Sequence, residues 1–302
     1  MTPPGATGAN TTSGRPCSGI CCGKVPPKIN MVHFHADAFS PCRGRRRGCR
    51  KRGLVVSRFF VAPEQISGER VIITGPDVIH ISRVLRLGAG DTVTVLDGAG
   101  RACRVRLTAA GKDAVEGLII EEFAAGGESP LRVTLLQGLA KGDKMEMIIQ
   151  KCTELGVAAV VPLHCRRSVA RLEPGKARQR RERWQRVAME AAKQCRRAVI
   201  PRVTEVMSLP EALELIPPDA LAVMPYEMEK CRALKQVLRG RAAGEVYLLI
   251  GPEGGFEPLE VDLATGRGVI PVSLGPRILR TETAGPAALA MVLYELGDLG
   301  GT

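Results

Sequence analysis

The sequence predicts an α/β fold: a mostly parallel sheet preceded by a small antiparallel β-barrel, with a basic extension ahead of both. Three observations lead there. From Arg58 to about Ser129, short alternating apolar segments are separated by Gly or Asp-Gly turns, which is how a small barrel reads. From Leu131 onward, apolar segments of strand length alternate with segments of helical periodicity, the pattern of a parallel sheet covered on both faces. Residues 1–57 carry ten Lys or Arg against one acid, Asp37, which is +9 of the formal +12 and leaves +3 for everything after.

The extension contains RGRRRGCRKR, abundant Pro, Gly, Ser and Thr, and no hydrophobic periodicity, so its composition predicts a segment that cannot offset its ordering entropy. Translation starting near Val55 or Val56 is the plainer alternative, because SRFFVAP opens the globular sequence. Half of the ten cysteines lie here (Cys17, Cys21, Cys22, Cys42, Cys49), and His33 and His35 are near, but the spacing fits no paired Cys-x-x-Cys pattern. The other cysteines are scattered singly, which predicts a reducing, cytoplasmic setting. No apolar run approaches the roughly 18 residues of a membrane span, so a soluble chain is expected.

The barrel segments are FFV, RVIITG, DTVTVLDG, ACRVRLTAA and AVEGLIIEEF. One helical insert, PDVIHISRVLRLGAGD, places Val78, Ile81, Val84 and Leu85 on one stripe with Gly88 as a stop, and leaves Arg83 and Arg86 on other sides as candidate nucleic-acid contacts.

After GGESP the texture changes. LRVTLLQGLA is a buried strand candidate, and KGDKMEMIIQKCTELGV follows as a helix: Asp143 and Glu146 form a capping-box-like start, Met145, Ile148, Ile149, Cys152 and Leu155 the buried stripe, and Gly156 the end. Next come the strand VAAVVPL, a long basic helix over 174–197 with the single Trp184, the short piece PRV, the apolar ALAVMPYE, a further helix, and EVYLLIGPEGG.

Two apolar runs then end in Gly-Pro, LLIGPEGG and VSLGPRILRTE. In open α/β sheets ligands bind beyond the carboxyl ends of strands. Gly251, Gly254 and Gly255 allow a close backbone approach, and Pro252 fixes one dihedral in advance. Neither loop has the phosphate-cradle or dinucleotide spacing, and Glu253, Glu257 and Glu260 disfavour a polyphosphate, so a neutral or cationic nucleoside is expected. In ILRTETA, Thr281 and Thr283 also read as N-cap residues of a final helix. His80 and His164 are isolated and Cys195 has no neighbouring base, so no metal site or cysteine nucleophile is expected.

In order along the chain, HISRVLRLGAGD, KGDKMEMIIQKCTELGV, LLIGPEGGF and LGPRILRTETA resemble the ribosomal RNA small subunit methyltransferase E family of the SPOUT class. The resemblance runs from about Arg58 to the carboxyl terminus. It implies a PUA-like RNA-binding barrel over 58–128 and a trefoil-knotted methyltransferase domain over 129–302, dimeric through that domain, with 1–57 as an extension. It implies transfer of methyl from S-adenosylmethionine to N3 of a uridine in 16S ribosomal RNA, within the small subunit or a late precursor. Another RNA such as transfer RNA, or a non-catalytic RNA-binding assembly role, is the alternative. The cofactor would be held by Leu249, Ile250, Gly251, Pro252, Glu253 and Gly254 from the first loop and by Leu274, Gly275, Ile278, Leu279, Arg280 and Thr283 from the second. Arg280 and Glu282 are the catalytic candidates. Arg58, Arg83, Arg86, Arg166, Arg167 and Arg171, with the helix carrying Arg196 and Arg197, would form the RNA track. Arg166 and Lys193 stand where the family often has Glu.

Overall fold

The computed structural model describes residues 57–168 and 174–301. The extension with its cysteines and histidines, and Arg171, lie outside the described residues. The amino-terminal part forms β1 (Arg58–Phe60), a 3₁₀ turn (Pro63–Gln65), β2 (Ile66–Ser67), β3 (Arg70–Thr74), α1 (Pro76–Ile79), β4 (Thr92–Leu96), β5 (Arg101–Ala110) and β6 (Ala114–Ala124). The strands order as β1-β4-β5-β6-β3-β2, and the one short turn between β1 and β2 links the two edges of the sheet. Alternation follows the pleat: Val71 and Ile73 on β3 and Cys103, Val105 and Leu107 on β5 point inward, while Arg104 and Arg106 point out. Register shifts at Arg104/Val105 and Leu107/Ala109 curl the β5–β6 ribbon. All pairs are antiparallel except β1–β4, which is parallel because β1 joins the far edge of β4 before the meander begins.

The insert departs from the expected helix. α1 continues as a π turn (His80–Val84), and its wider winding rotates Val84 out of the stripe: Val78 and Ile81 are buried, Val84 is 64% exposed. It stops not at Gly88 but at Arg86, which takes a left-handed φ of 54°.

The remaining elements are β7 (Arg132–Gly138), α2 (Lys144–Leu155), β8 (Ala159–His164), α3 (Pro174–Cys195), β9 (Arg202–Val203), β10 (Met207–Ser208), α4 (Leu209–Leu213), β11 (Leu221–Pro225), α5 (Leu234–Leu238), β12 (Glu245–Ile250), α6 (Pro258–Gly266), β13 (Ile270–Val272) and α7 (Thr281–Leu296). The strands order as β10-β8-β7-β12-β11-β13, with β9 beside β8, and every pairing is parallel. Both faces are buried, which is why these strands read as continuous apolar runs. Leu135, Leu248 and Ile250 face a core with α2 and α7, whereas Leu136 and Leu249 face Phe256 and α4 and α6 on the other side.

Two helix starts differ from expectation. Asp143 occupies the N-cap of α2 without a side-chain cap bond, and Glu146 instead pairs with Arg183 of α3 at 2.7 Å. The N-cap of α7 is Arg280; Thr281 sits inside the first turn and Thr283 is exposed. The α2 stripe and its left-handed Gly156 end follow the sequence pattern, with Leu155 half-buried.

Candidate functional site

β12, β11 and β13 are neighbours in the sheet and point the same way, so the loops that follow them open side by side. Between these loops and the start of α7 lies a cavity of about 980 Å³, at the upper end of the ~300–1,000 Å³ typical of ligand pockets. Of the residues the sequence nominated, Ile250, Gly251, Pro252, Glu253, Gly254, Leu274, Gly275, Ile278, Leu279, Arg280 and Glu282 line it. Leu249 does not, since strand alternation turns it into the core on the opposite face, and Thr283 points outward from the first turn of α7.

The two Gly-Pro loops are joined at Thr281. Its buried hydroxyl donates to the Gly251 carbonyl at 2.7 Å and accepts from Gln137 Nε2 at 2.9 Å, while the same Gln137 amide donates to Gly138 O at 3.0 Å. This hydrogen-bonded chain, not an N-cap bond, is what Thr281 does. Gly138 is as necessary as the loop glycines, because a Cβ there would lie 2.4 Å from Pro252 N and 2.8 Å from Gly251 C. Gly255, at φ 69°, admits the Glu227 carboxylate, whose Oε1 lies 2.7 Å from where a Cβ would stand.

Lys144 forms the second tie. Its ammonium lies 3.3 Å from Glu253 Oε1 and 3.4 Å from Glu282 Oε2. Partial burial would raise the Glu253 carboxyl, but hydrogen bonds from the Lys141 N–H and its own N–H, together with Lys144, outweigh it and hold the group below the usual carboxylate range. Arg280 is exposed, and its guanidinium has no hydrogen bond or ion pair among the described residues.

The basic residues divide. Arg167 packs against the first loop, its Nη1 donating to Gly254 O at 3.3 Å, and Arg166 pairs with Glu257 at 3.5 Å while its N–H donates to Glu260. Arg58 donates to Arg196 O at 2.9 Å, so it sits at the far end of α3. Arg83 and Arg86 are exposed on the barrel insert. Arg197 is not on a surface track: it is 6% exposed, donates to the carbonyls of Thr153 and Val157, and pairs with Glu128 at 2.8 Å. Lys193 pairs with Asp77 at 3.7 Å and Glu190 at 3.4 Å.

Several contributors escaped the sequence reading. Tyr226, Glu227 and Lys230 after β11, Ser273 and Arg277 after β13, and Lys144 all line the cavity. The available signal was ALAVMPYE, a strand whose carboxyl end is a ligand position in an open α/β sheet just as those of the two Gly-Pro loops are. Nothing in its local sequence reveals that it lies between the strands carrying them.

A parallel sheet with convergent glycine loops behind a small barrel defines a class, and family models match both parts. Residues 127–293 match an RNA methyltransferase domain, and residues 73–120 an RNA methyltransferase PUA domain. The fold is that of an α/β RNA methyltransferase domain with a parallel sheet, preceded by a PUA domain. A Bacillus subtilis protein named ribosomal RNA small subunit methyltransferase E is 39% identical over 228 residues, covering 74% of this chain and 89% of that one. The Synechocystis protein of the same name is 38% identical over 237 residues, covering 78% and 76%. A crystal structure of the Neisseria gonorrhoeae enzyme of that name, bound to S-adenosyl methionine, superposes with a TM-score of 0.71 at 36% identity over 80% of this chain and 99% of that one. The chain belongs to the ribosomal RNA small subunit methyltransferase E family.

Proposed function

We propose that this protein uses S-adenosylmethionine to methylate N3 of a uridine in 16S ribosomal RNA, in the small subunit or a late precursor, as a cytoplasmic homodimer joined through its carboxy-terminal domain. In this reading residues 58–128 are the RNA-binding barrel, 129–302 the methyltransferase domain, and 1–57 an extension outside both. The observation that carries it is the cavity where the two Gly-Pro loops meet, tied together through Thr281 and Lys144.

The site fits the cofactor by size and donor set. Gly251, Gly254 and Gly275 present main chain rather than side chains, which suits reading a base edge by N–H and C=O groups, while Ile250, Leu274, Ile278 and Leu279 supply apolar surface. Glu227 and Glu253 put carboxylates at the wall, complementary to a cation and unfavourable to a polyphosphate. S-adenosylmethionine supplies a methyl group already activated on a sulfonium.

The chain's own task is to align the acceptor and to take the imide proton. Uracil N3 is nucleophilic only without its proton, so a group at the cavity wall must receive it. Glu282 is placed to do so, and the exposed Arg280 to steady the charge that spreads onto the uracil oxygens. Fixing both reactants at bonding distance contributes several kcal/mol more, in the range of roughly 7–11 for ideal alignment. Arg58, Arg83, Arg86, Arg166 and Arg167, and Arg171 from outside the described residues, are assigned to RNA phosphates, which makes binding salt-dependent. The target base must be splayed out of its stack to reach the cavity.

The decisive experiment is mass spectrometry of nucleosides from the 16S RNA of cells lacking the gene. Loss of 3-methyluridine, restored by the gene and not by its Glu282→Gln variant, is the expected result. Persistence of 3-methyluridine rejects the substrate assignment.

A further inference from the structure

We propose that Lys144 is a positioning residue for the transfer: it fixes the Glu282 carboxylate at the cavity wall and couples it to the loop after β12 through Glu253. The inference rests on the reading of Glu282 as proton acceptor. Glu282 is 16% exposed, and its Oε2 is buried with no hydrogen-bond partner. A buried carboxylate oxygen in that position calls for a compensating donor. Lys144 is the cation that reaches it, at 3.4 Å, too long for a tight hydrogen bond and close enough for an ion pair. The same ammonium lies 3.3 Å from Glu253 Oε1, which is itself anchored by the Lys141 N–H at 3.0 Å.

Three elements therefore meet at one nitrogen: the first turn of α2, the loop after β12 and the first turn of α7. The consequence for chemistry is directional. With Oε2 paired to Lys144, Oε1 is the oxygen left to meet a substrate N–H. When the N3 proton moves to Glu282, the N–H bonding pair stays on nitrogen and attacks the methyl carbon, and the carbon–sulfur pair leaves with sulfur. Lys144, now facing a neutral carboxyl, keeps Glu253 as its counter-charge.

The test compares full-length Lys144→Met, Lys144→Arg, Glu282→Gln and the Lys144→Met/Glu282→Gln double variant. Small ribosomal subunits from cells lacking the gene serve as substrate, with S-adenosylmethionine varied. A positioning role predicts that Lys144→Met lowers kcat about 10- to 100-fold while KM for the cofactor changes less than about threefold, because the interaction is realised in the transition state. Lys144→Arg recovers most of the loss, and the double variant is no slower than Glu282→Gln, since the two residues act as a unit. Wild-type kcat in Lys144→Met, a loss confined to KM, or losses that multiply in the double variant each overturn the proposal. If Glu282→Gln itself turns over at the wild-type rate, the proton-acceptor reading falls and takes this inference with it. If Glu282→Gln is slow and Lys144→Met is not, this inference alone falls.

Discussion

At Thr281 a single hydroxyl does the work of two caps. It donates to the Gly251 carbonyl on one side and accepts from the buried Gln137 Nε2 on the other, so it locks the end of β12 to the start of α7. Thr281→Val keeps the shape and removes both bonds; Gln137 Nε2 keeps Gly138 O, while the Gly251 carbonyl loses its Thr281 donor, at about 1–3 kcal/mol. Urea denaturation should show that loss, calorimetry a cofactor affinity weaker by about tenfold or more, and Thr281→Ser near-normal values in both. Gly138→Ala is harsher, because the clash is with backbone atoms of the Gly251-Pro252 peptide rather than with a side chain that can swing away. Cofactor binding measured by calorimetry should vanish even if the protein still folds. Thiol chemistry gives a separate check. Burial, reinforced by Glu260 and opposed by the Ser168 hydrogen bond, pushes Cys165 up to about 12, so the thiolate is scarce at pH 8. Peptide mapping after alkylation at that pH should find exposed Cys231 modified and Cys165 intact.

Among the elements, the strands and the long helices were legible because their side-chain periods are fixed by geometry, and the loops were legible only where glycine marked them. The stripe of α2 is written in its residue spacing, whereas the π turn after α1 is not: one extra residue in the winding moves Val84 to solvent, and no spacing rule anticipates it. The two Gly-Pro loops announced a site, but the loop after β11 carries Tyr226, Glu227 and Lys230 without any punctuation. Its place follows from sheet order, a long-range property. The Lys144 tie was hidden for the same reason, since its partners are 109 and 138 positions away. A pH experiment isolates that tie. The folded Glu253 carboxyl lies below its unfolded value of about 4.3, so its contribution to stability is complete above that value and is lost as pH falls through the depressed one. Thermal melting between pH 6 and pH 3 should therefore fall less steeply for Glu253→Gln than for the wild-type chain.

Across the whole molecule, the barrel and the sheet domain are joined by more than a linker. Glu128, between β6 and β7, accepts hydrogen bonds from Ala198 N, Val199 N and the Arg197 guanidinium, and Arg197 also donates to the carbonyls of Thr153, in the last turn of α2, and of Val157, just beyond it. From the barrel side, Ile200 N donates to Gly98 O at 3.0 Å, Ala99 bridges Val199, and Arg58 holds the Arg196 carbonyl where that residue takes a left-handed φ of 63°. The segment after α3 is thus a shared seam, ordered by both parts at once. Under the proposed function, an RNA lying across barrel and cavity would meet a surface whose halves keep one spacing, so contacts on the barrel would contribute to placing a base in the cavity. Such a seam predicts cooperative unfolding: a single calorimetric transition for the wild-type chain. Arg197→Met removes one partner of a pair whose other member, Glu128, is about a quarter exposed and keeps its hydrogen bonds from Ala198 N and Val199 N, so the loss falls short of the roughly 3–5 kcal/mol of a fully buried pair. It should split the transition into two and raise KM for ribosomal subunits while leaving cofactor affinity within about threefold. A single transition in that variant, with KM for the subunit unchanged, would show that the seam is packing alone and that the barrel reaches RNA independently of the sheet.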